Sequence, residues 1–130
     1  MGKFIFRKEE RLRKEKDIQE LFDKGSSFYL FPFKVFVLLE TQDTPVHQVL
    51  ISVSKKNFKR AVDRNKLKRR IKEAYRLQKQ LLANLPKVKA GFIYAHKEIL
   101  EFRDIEKKMN QCLLKIPKML NDLSKQSKVD

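Results

Sequence analysis

Residues 52–76 hold the densest group of chemically active side chains in this 130-residue sequence. The segment contains eleven Lys or Arg residues against two acids, Asp63 and Glu73, and it carries nine of the chain's fifteen net positive charges. Arg offers a planar fork of donors to phosphate oxygens, and Lys offers a compact charge. Such a surface gains binding free energy by displacing counterions condensed on a polyanion. The segment therefore predicts a nucleic-acid interface first and a membrane-surface interface second.

The basic residues fall on a predicted helix from about Arg60 to Leu85, which Pro86 ends. Apolar or uncharged residues at helical spacing form its core side, and these are Leu67, Ile71, Ala74, Tyr75, Gln78, Leu81, Leu82 and Leu85. The polar side consists of Asn65, Lys68, Arg69, Lys72, Arg76 and Lys79. A solvated face held by local ion pairs would need more acids than this segment has. The pattern indicates a helix with one buried face and one nearly acid-free basic face.

No arrangement of side chains indicates an active site or a metal site in the protein itself. His47 and His96 are far apart in sequence and lack the spacing of metal ligands. Cys112 lies on an apolar helical stripe, where a buried thiol is expected rather than a nucleophile. The three glycines are too widely spaced for a phosphate-binding loop. We therefore expect no catalytic residue, no metal ligand and no small-molecule substrate.

The composition predicts a single domain over residues 1–130. Hydrophobic residues make up 42% of the chain and charged residues 36%, which allows a modest core. The one cysteine suits a reducing compartment, and no run approaches the roughly 20 apolar residues of a membrane helix. No signal peptide is recognisable. We expect a soluble, cytoplasmic protein without a membrane partner.

Further elements are predicted around the basic helix. In chain order they are a loose arm at 1–10, a helix at 13–24 closed by Gly25, strands at 33–39, 48–53 and 91–95, a closing helix at 105–123 that contains Pro117, and a loose tail at 124–130. Residues 26–31 are ambiguous. The strand–helix–strand unit implies some parallel pairing. The predicted fold class is α+β, a small sandwich of one mixed sheet with three helices in the order α-β-β(-β)-α-β-α.

Aromatic residues crowd the region of the first strands, and these are Phe28, Tyr29, Phe31, Phe33 and Phe36. Most are expected in the core, although rings on a sheet beside a basic groove also stack single-stranded bases. Lys34, Phe36 and Leu38 alternate onto one strand face, which the short first helix covers only in part. The sequence thus predicts a groove bordered by Phe22.

The motif in the basic segment resembles that of a known family, the protein component of bacterial ribonuclease P. The matching residues are Ser52-Val53-Ser54-Lys55-Lys56, Ala61-Val62, Arg64-Asn65-Lys66-Leu67-Lys68-Arg69, Ile71, Glu73, Ala74, Tyr75 and Arg76. The likeness covers most of residues 10–120. Two features depart from the family pattern: the connection Asn57-Phe58-Lys59-Arg60 is one residue longer and lacks glycine, and Lys66 replaces the third residue of an Arg-Asn-Arg triplet.

The resemblance implies a fold like the second domain of ribosomal protein S5, with a left-handed βαβ crossover. It implies partnership with a catalytic RNA that removes the 5′ leader of precursor tRNA, using Mg²⁺ bound mainly by the RNA. The protein itself would not cut. The residues implied for RNA binding are Lys55, Lys56, Arg60, Arg64, Asn65, Lys66, Lys68, Arg69, Lys72 and Arg76. Those implied for the leader cleft are Phe22, Phe36, Lys34 and Ile18, and Ile18 stands where an aromatic residue is common.

Three other functions remain open from the sequence. A stand-alone nuclease would cleave RNA as purified protein. A general RNA- or DNA-binding or ribosomal-type protein, with no role in tRNA processing, would bind without preference for precursor tRNA. A membrane-surface protein would leave the apolar side of its basic helix without a partner inside the fold.

Overall fold

The computed structural model of the protein describes residues 6–129, and the side chains of residues 6–122. Its helices and strands are, in chain order, α1 (Glu15–Lys24), β1 (Ser26–Leu30), β2 (Phe33–Leu39), β3 (Gln48–Val53), α2 (Ala61–Gln78), β4 (Val88–Tyr94) and α3 (Phe102–Val129). Short 3₁₀ turns cover Lys8–Glu10 and Lys79–Leu82. The predicted α+β class is confirmed, and the ambiguous residues after α1 form strand β1.

The four strands form one mixed sheet in the order β1-β2-β4-β3. β1 and β2 form an antiparallel hairpin, β2 pairs antiparallel with β4, and β3 lies parallel to β4. The parallel pair requires a crossover, which α2 provides, as the strand–helix–strand pattern predicted. The carboxyl ends of β3 and β4 therefore meet at the edge where the β1–β2 turn also lies.

Alternation along the strands gives the sheet two different faces. The helix face is packed under α2 and α3, and its buried strand residues are Phe33, Val35, Val37, Val49, Val53, Val88, Ala90, Phe92 and Tyr94. From α2, Leu67 and Ile71 are fully buried in this core, and α3 adds Ile105, Met109 and Leu113. The buried stripe of α2 thus has partners within the fold, which argues against the membrane-surface alternative.

The opposite face of the sheet, which we call the groove face, is covered only in part by α1. The residues of β2, β3 and β4 on this face include Lys34, Phe36, Leu38, Leu50, Ser52, Lys89, Gly91 and Ile93. Leu21 of α1 is fully buried against it, and a Cβ added at Gly91 would lie 3.1 Å from Leu21 Cδ2. Lys89 Nζ lies within 3.6–3.8 Å of carboxylate oxygens of Asp17, Glu20 and Glu40, which fixes α1 at this end.

Gly25 ends α1 as predicted, but not through a left-handed backbone conformation. Its φ is −70° and its ψ is 150°, an extended conformation that any residue adopts. Glycine is required by space, because an added Cβ would clash with the Leu21 carbonyl oxygen and lie 3.2 Å from the Val37 carbonyl oxygen. The chain passes from α1 into β1 through this close contact.

The predicted end of the basic helix is wrong. The α-helix ends at Gln78 rather than near Leu85 and continues as a 3₁₀ turn. A 3₁₀ turn advances about 120° per residue instead of 100°, so Leu81 leaves the buried stripe and is exposed while Leu82 is fully buried. The Gln78 side-chain amide donates to the Glu106 carbonyl (2.9 Å) and ties this helix end to α3.

The predicted loose ends are also corrected where the structure describes them. Glu10 is buried, and both its carboxylate oxygens accept from Lys79 Nζ at 2.8 and 3.0 Å. The Leu12 amide donates to the Val49 carbonyl, so this segment follows the edge of β3. At the other end, α3 continues to Val129 through most of the expected tail. Residues 1–5 and Asp130 lie outside the described residues.

Candidate nucleic-acid interface

The outer face of α2 presents cations that the rest of the protein does not neutralise. Within the described residues, five of its polar side chains make no hydrogen bond or ion pair: Asn65, Lys66, Lys68, Arg69 and Lys72. Asn65, Lys66 and Arg69 are exposed and the other two are partly so. This group, which we call the basic ridge, is free to meet an external anion.

The pKa of one ridge residue reflects both its burial and the positive charges beside it. The pKa of Lys72 is lowered, first by partial burial and then by the nearby charges of Arg11 and Lys68. Arg11 lies on the N-terminal segment, and the sequence pattern of α2 gave no indication of its position. An arriving phosphate would relieve this repulsion, so Arg11 extends the ridge toward the N-terminal segment.

Two other cations predicted to bind RNA, Arg76 and Arg60, pair with acids of the protein itself. Arg76 Nε donates to Glu73 at 3.0 Å, and Arg60 lies 3.9 Å from Asp63. Lys79, predicted on the polar side of the helix, is instead the buried partner of Glu10. The sequence alone could not show which acids would reach these three residues.

Arg64 is directed at the loop that precedes α2. Its Nη1 donates to the carbonyl oxygens of Phe58 (2.7 Å) and Lys59 (2.9 Å). The loop is fixed at two further points: the buried Phe58 ring packs against Tyr94, and the Ser54 hydroxyl accepts from the Lys56 amide at 3.0 Å. Residues 54–60, which we call the basic loop, are therefore held in one shape.

The basic loop carries exposed cations between the end of β3 and the start of α2. Lys55, Lys56 and Lys59 are exposed. The loop leaves β3 at the carboxyl end of the strand and leads directly into α2. It therefore joins the groove face to the basic ridge with a continuous run of cations.

The predicted cleft residues lie together on the groove face. Phe22 and Phe36 make an edge-to-face contact with ring centroids 4.9 Å apart, and Lys34 Nζ lies 5.4 Å from the Phe36 ring centre. Phe22 is 37% exposed and Phe36 is half-buried, so both rings keep accessible surface. Ile18 is half-buried on the same face of α1. The groove thus offers an aromatic pair and a cation to a ligand.

The groups considered for catalysis have structural positions instead. His47 is buried, with Nε2 donating to the Leu82 carbonyl at 2.7 Å and Nδ1 accepting from the Val88 amide at 3.1 Å. Burial raises the pKa of Cys112 to about 12, which keeps the thiol protonated. Across the described residues, no group of three or more His, Cys, Asp or Glu could hold a metal ion.

A groove beside the ridge was missed by the sequence reasoning. Lys66, Arg69, Arg70 and Glu73 of α2 line it together with Phe102, the first residue of α3. The four α2 residues follow i, i+3, i+4, i+7 spacing, which marks one helix flank. Nothing in the sequence indicated that the start of α3 would lie against this flank. Only the packing of α3 on α2 brings Phe102 to the cations.

The fold and the site define a class: an α+β protein with a basic helix face and an aromatic groove, suited to binding nucleic acid. Comparison with known proteins makes this specific, because a model of the Ribonuclease P family matches residues 6–117. The ribonuclease P protein component of Porphyromonas gingivalis is 34% identical over 119 residues, which cover 87% of each chain. The chain belongs to the ribonuclease P protein family.

Solved structures agree with this assignment. The RNase P protein of Thermotoga maritima superposes with a TM-score of 0.68 at 28% identity, covering 80% of this chain and 94% of that one. A Staphylococcus aureus RNase P protein, a mutant with defective mRNA degradation activity, gives a TM-score of 0.70 at 29% identity, with 85% and 90% coverage. The protein is therefore a component of ribonuclease P, a ribonucleoprotein of tRNA processing, and its partner is the ribonuclease P RNA.

Within residues 6–129, no helix is long and apolar enough to span a bilayer.

Proposed function

We propose that the protein binds the catalytic RNA of ribonuclease P through the basic ridge and the basic loop, and holds the 5′ leader of precursor tRNA on the groove face. The RNA performs the cleavage with Mg²⁺ that it binds mainly itself. The protein supplies affinity for both RNAs and lowers the Mg²⁺ concentration that the assembly needs. It acts in the cytoplasm.

The observation that carries this proposal is the separation of two anion-binding surfaces by the sheet. The ridge lies on α2, which packs on the helix face, whereas Phe22, Phe36 and Lys34 lie on the groove face. One RNA can occupy the ridge while a single strand occupies the groove. The basic loop connects both surfaces, so the leader can enter the groove beside the bound RNA.

The chemistry of the side chains supports assigning cleavage to the RNA. Mg²⁺ prefers carboxylate and carbonyl oxygens, and the acids nearest the groove, Asp17, Glu20 and Glu40, all face Lys89. On the ridge side, Glu73 accepts from Arg76. These acids are already committed to cations of the protein.

The test is reconstitution with ribonuclease P RNA and precursor tRNA at a Mg²⁺ concentration where the RNA alone is slow. We expect cleavage at the mature 5′ end with protein and RNA together, and none with RNA-depleted protein. A variant with Lys66, Lys68 and Arg69 changed to Ala should lose the stimulation. A charge-matched control with Lys97, Lys107 and Lys118 changed to Ala should retain it. Equal stimulation by both variants would contradict the role of the ridge.

The S. aureus relative raises a second candidate, because its mutant is described as defective in mRNA degradation. The reconstitution separates the two functions. Degradation of mRNA by RNA-depleted protein, surviving removal of contaminating nucleases, would establish an activity of the polypeptide itself. Equal affinity for precursor and mature tRNA in the assembled enzyme would favour a general nucleic-acid-binding role.

A further inference from the structure

The groove between α2 and the start of α3 has the size and composition of a ligand site. Its volume is about 480 Å³, within the roughly 300–1,000 Å³ of small-molecule pockets. Phe102 forms one wall, and Lys66, Arg69, Arg70 and Glu73 form the other. An aromatic ring thus faces three cations and one carboxylate across an open cleft.

The walls of this groove are held in place by contacts of their own. Arg70 Nη1 donates to the Leu100 carbonyl at 2.5 Å, which fixes the chain just before α3 to the middle of α2. Phe102 is half-buried and packs at the border of the core. A ligand would meet a preformed cleft and would not need to order a loop, which favours affinity.

The side chains at the rim are available to a ligand. Lys66 and Arg69 are exposed and, among the residues that the structure describes, neither pairs with an acid. Both also belong to the basic ridge. A polyanion lying along the ridge therefore passes directly over the mouth of the groove.

We propose that this groove binds an unpaired nucleobase of the RNA partner, stacked on Phe102, with its flanking phosphates on Lys66 and Arg69. A phosphate alone would leave the Phe102 ring unused, because it has no flat apolar surface to stack on it. A base offers a π face to the ring, while the phosphates on either side of it can reach the cations at the rim. This inference rests on the proposed function, since it assigns part of the RNA contact.

The site predicts a specific set of variants, measured as affinity for ribonuclease P RNA without tRNA. Phe102→Leu keeps an apolar side chain but removes the ring, and it should weaken binding about fivefold to a hundredfold. Phe102→Tyr keeps the ring and should bind within about twofold of the wild type. Tyr29→Leu removes an exposed aromatic ring elsewhere and should have no effect. The salt dependence of binding should be unchanged in Phe102→Leu, because no charge is removed.

Chemical probing of base edges in the complex provides a second readout, independent of the affinity measurement. One or a few unpaired nucleotides should be protected by the wild-type protein and should become reactive with Phe102→Leu. Normal affinity of Phe102→Leu, equal losses for the Leu and Tyr variants, or a complex with no protected unpaired base would each overturn the inference. If the wild type fails to bind the RNA at all, the proposed function fails instead.

Discussion

Phe36 lies on the groove face of the sheet, and its proposed role follows from that position. Its ring meets Phe22 and carries Lys34 above it on the groove face, away from the main core. Phe36→Ala should therefore weaken binding of precursor tRNA to the assembled enzyme by roughly 1–3 kcal/mol, the value of one stacked base. Mature tRNA, which lacks the leader, should bind with little change.

The matched control for Phe36 is a second aromatic contact with an exposed ring, between Phe31 and His96 with ring centroids 4.8 Å apart. Phe31→Ala removes a ring at the β1–β2 turn instead of beside α1. Circular dichroism should show that both variants are folded. Equal losses for precursor and mature tRNA in Phe36→Ala would show that Phe36 serves packing or assembly, not leader binding.

Arg64 is a motif residue whose effect on RNA binding should depend partly on the basic loop that it holds in place. Because its guanidinium holds the carbonyls of Phe58 and Lys59, Arg64→Ala should lower RNA affinity by releasing the basic loop as well as by removing a charge. Arg64→Lys keeps the charge but not the forked geometry, so it should recover only part of the loss. The measurement is RNA affinity of both variants at one salt concentration.

A double-mutant cycle decides whether the loop transmits the effect of Arg64. Combining Arg64→Ala with Lys56→Ala should give a coupling energy of roughly 0.5 kcal/mol or more, since the two sites share the loop. Combining it with Lys72→Ala should be additive. Additivity in both cycles would mean that Arg64 contacts RNA independently of the basic loop.

At the scale of elements, His47 links its own segment, just before β3, to the 3₁₀ turn and to the start of β4. The sequence pattern did not indicate these contacts. It is hydrogen-bonded to Leu82 in the 3₁₀ turn and to Val88 at the start of β4. Its pKa is lowered by burial, opposed by the Leu82 hydrogen bond, with smaller effects of Lys87 and Glu10. Both ring nitrogens are occupied in the neutral form, so protonation must break the contact with the Val88 amide.

This arrangement predicts the direction of a pH effect on stability. The unfolded chain binds a proton at His47 more readily than the folded chain, so the free energy of unfolding should rise with pH through this group. Its contribution should be complete above about pH 6.5 and should decline as the pH falls below that value. Urea unfolding between pH 5 and 8 measures this, and His47→Gln should flatten the profile. An unchanged slope in that variant would assign the pH dependence to other groups.

The elements that were predicted well are those whose signal is local. β2 and β3 begin and end where β-branched and aromatic alternation indicated, and α2 begins next to the expected Arg60. Apart from the end of the basic helix, the main failures are contacts between distant parts of the chain. The pairing of Glu10 with Lys79 spans 69 positions, and nothing near Glu10 indicates it. The leader-cleft and RNA-contact assignments came from the family resemblance and stay predictions.

At the scale of the whole molecule, a net charge of +15 would attract RNA even if the charges were spread evenly over the surface. The basic ridge predicts instead that affinity for RNA depends on where the cations lie. The affinity for RNA should fall steeply with salt, each phosphate contact contributing somewhat less than one unit to the log–log slope. Changing Lys66, Lys68 and Arg69 to Ala should reduce that slope by roughly two to three units.

The control removes the same charge from another surface. Lys97, Lys107 and Lys118 are exposed and belong neither to α2 nor to the basic loop, and their combined change to Ala should leave the slope nearly intact. Equal reductions in the two triple variants would show that net charge, and not the ridge, governs binding.

Two glycines set the width of the groove because they have no side chain. At Gly25 and Gly91 a single methyl group would press on Leu21, against its backbone carbonyl in one case and its side chain in the other. The clearance between α1 and the sheet therefore depends on the absence of a side chain at these two positions, one of which, Gly91, pairs directly with Phe36. Gly91→Ala would push the Leu21 side chain, and α1 with it, away from the sheet. The distance between Phe22 and Phe36 would then increase. The width of the groove could thus be altered while Phe22, Phe36 and Lys34 themselves stay the same.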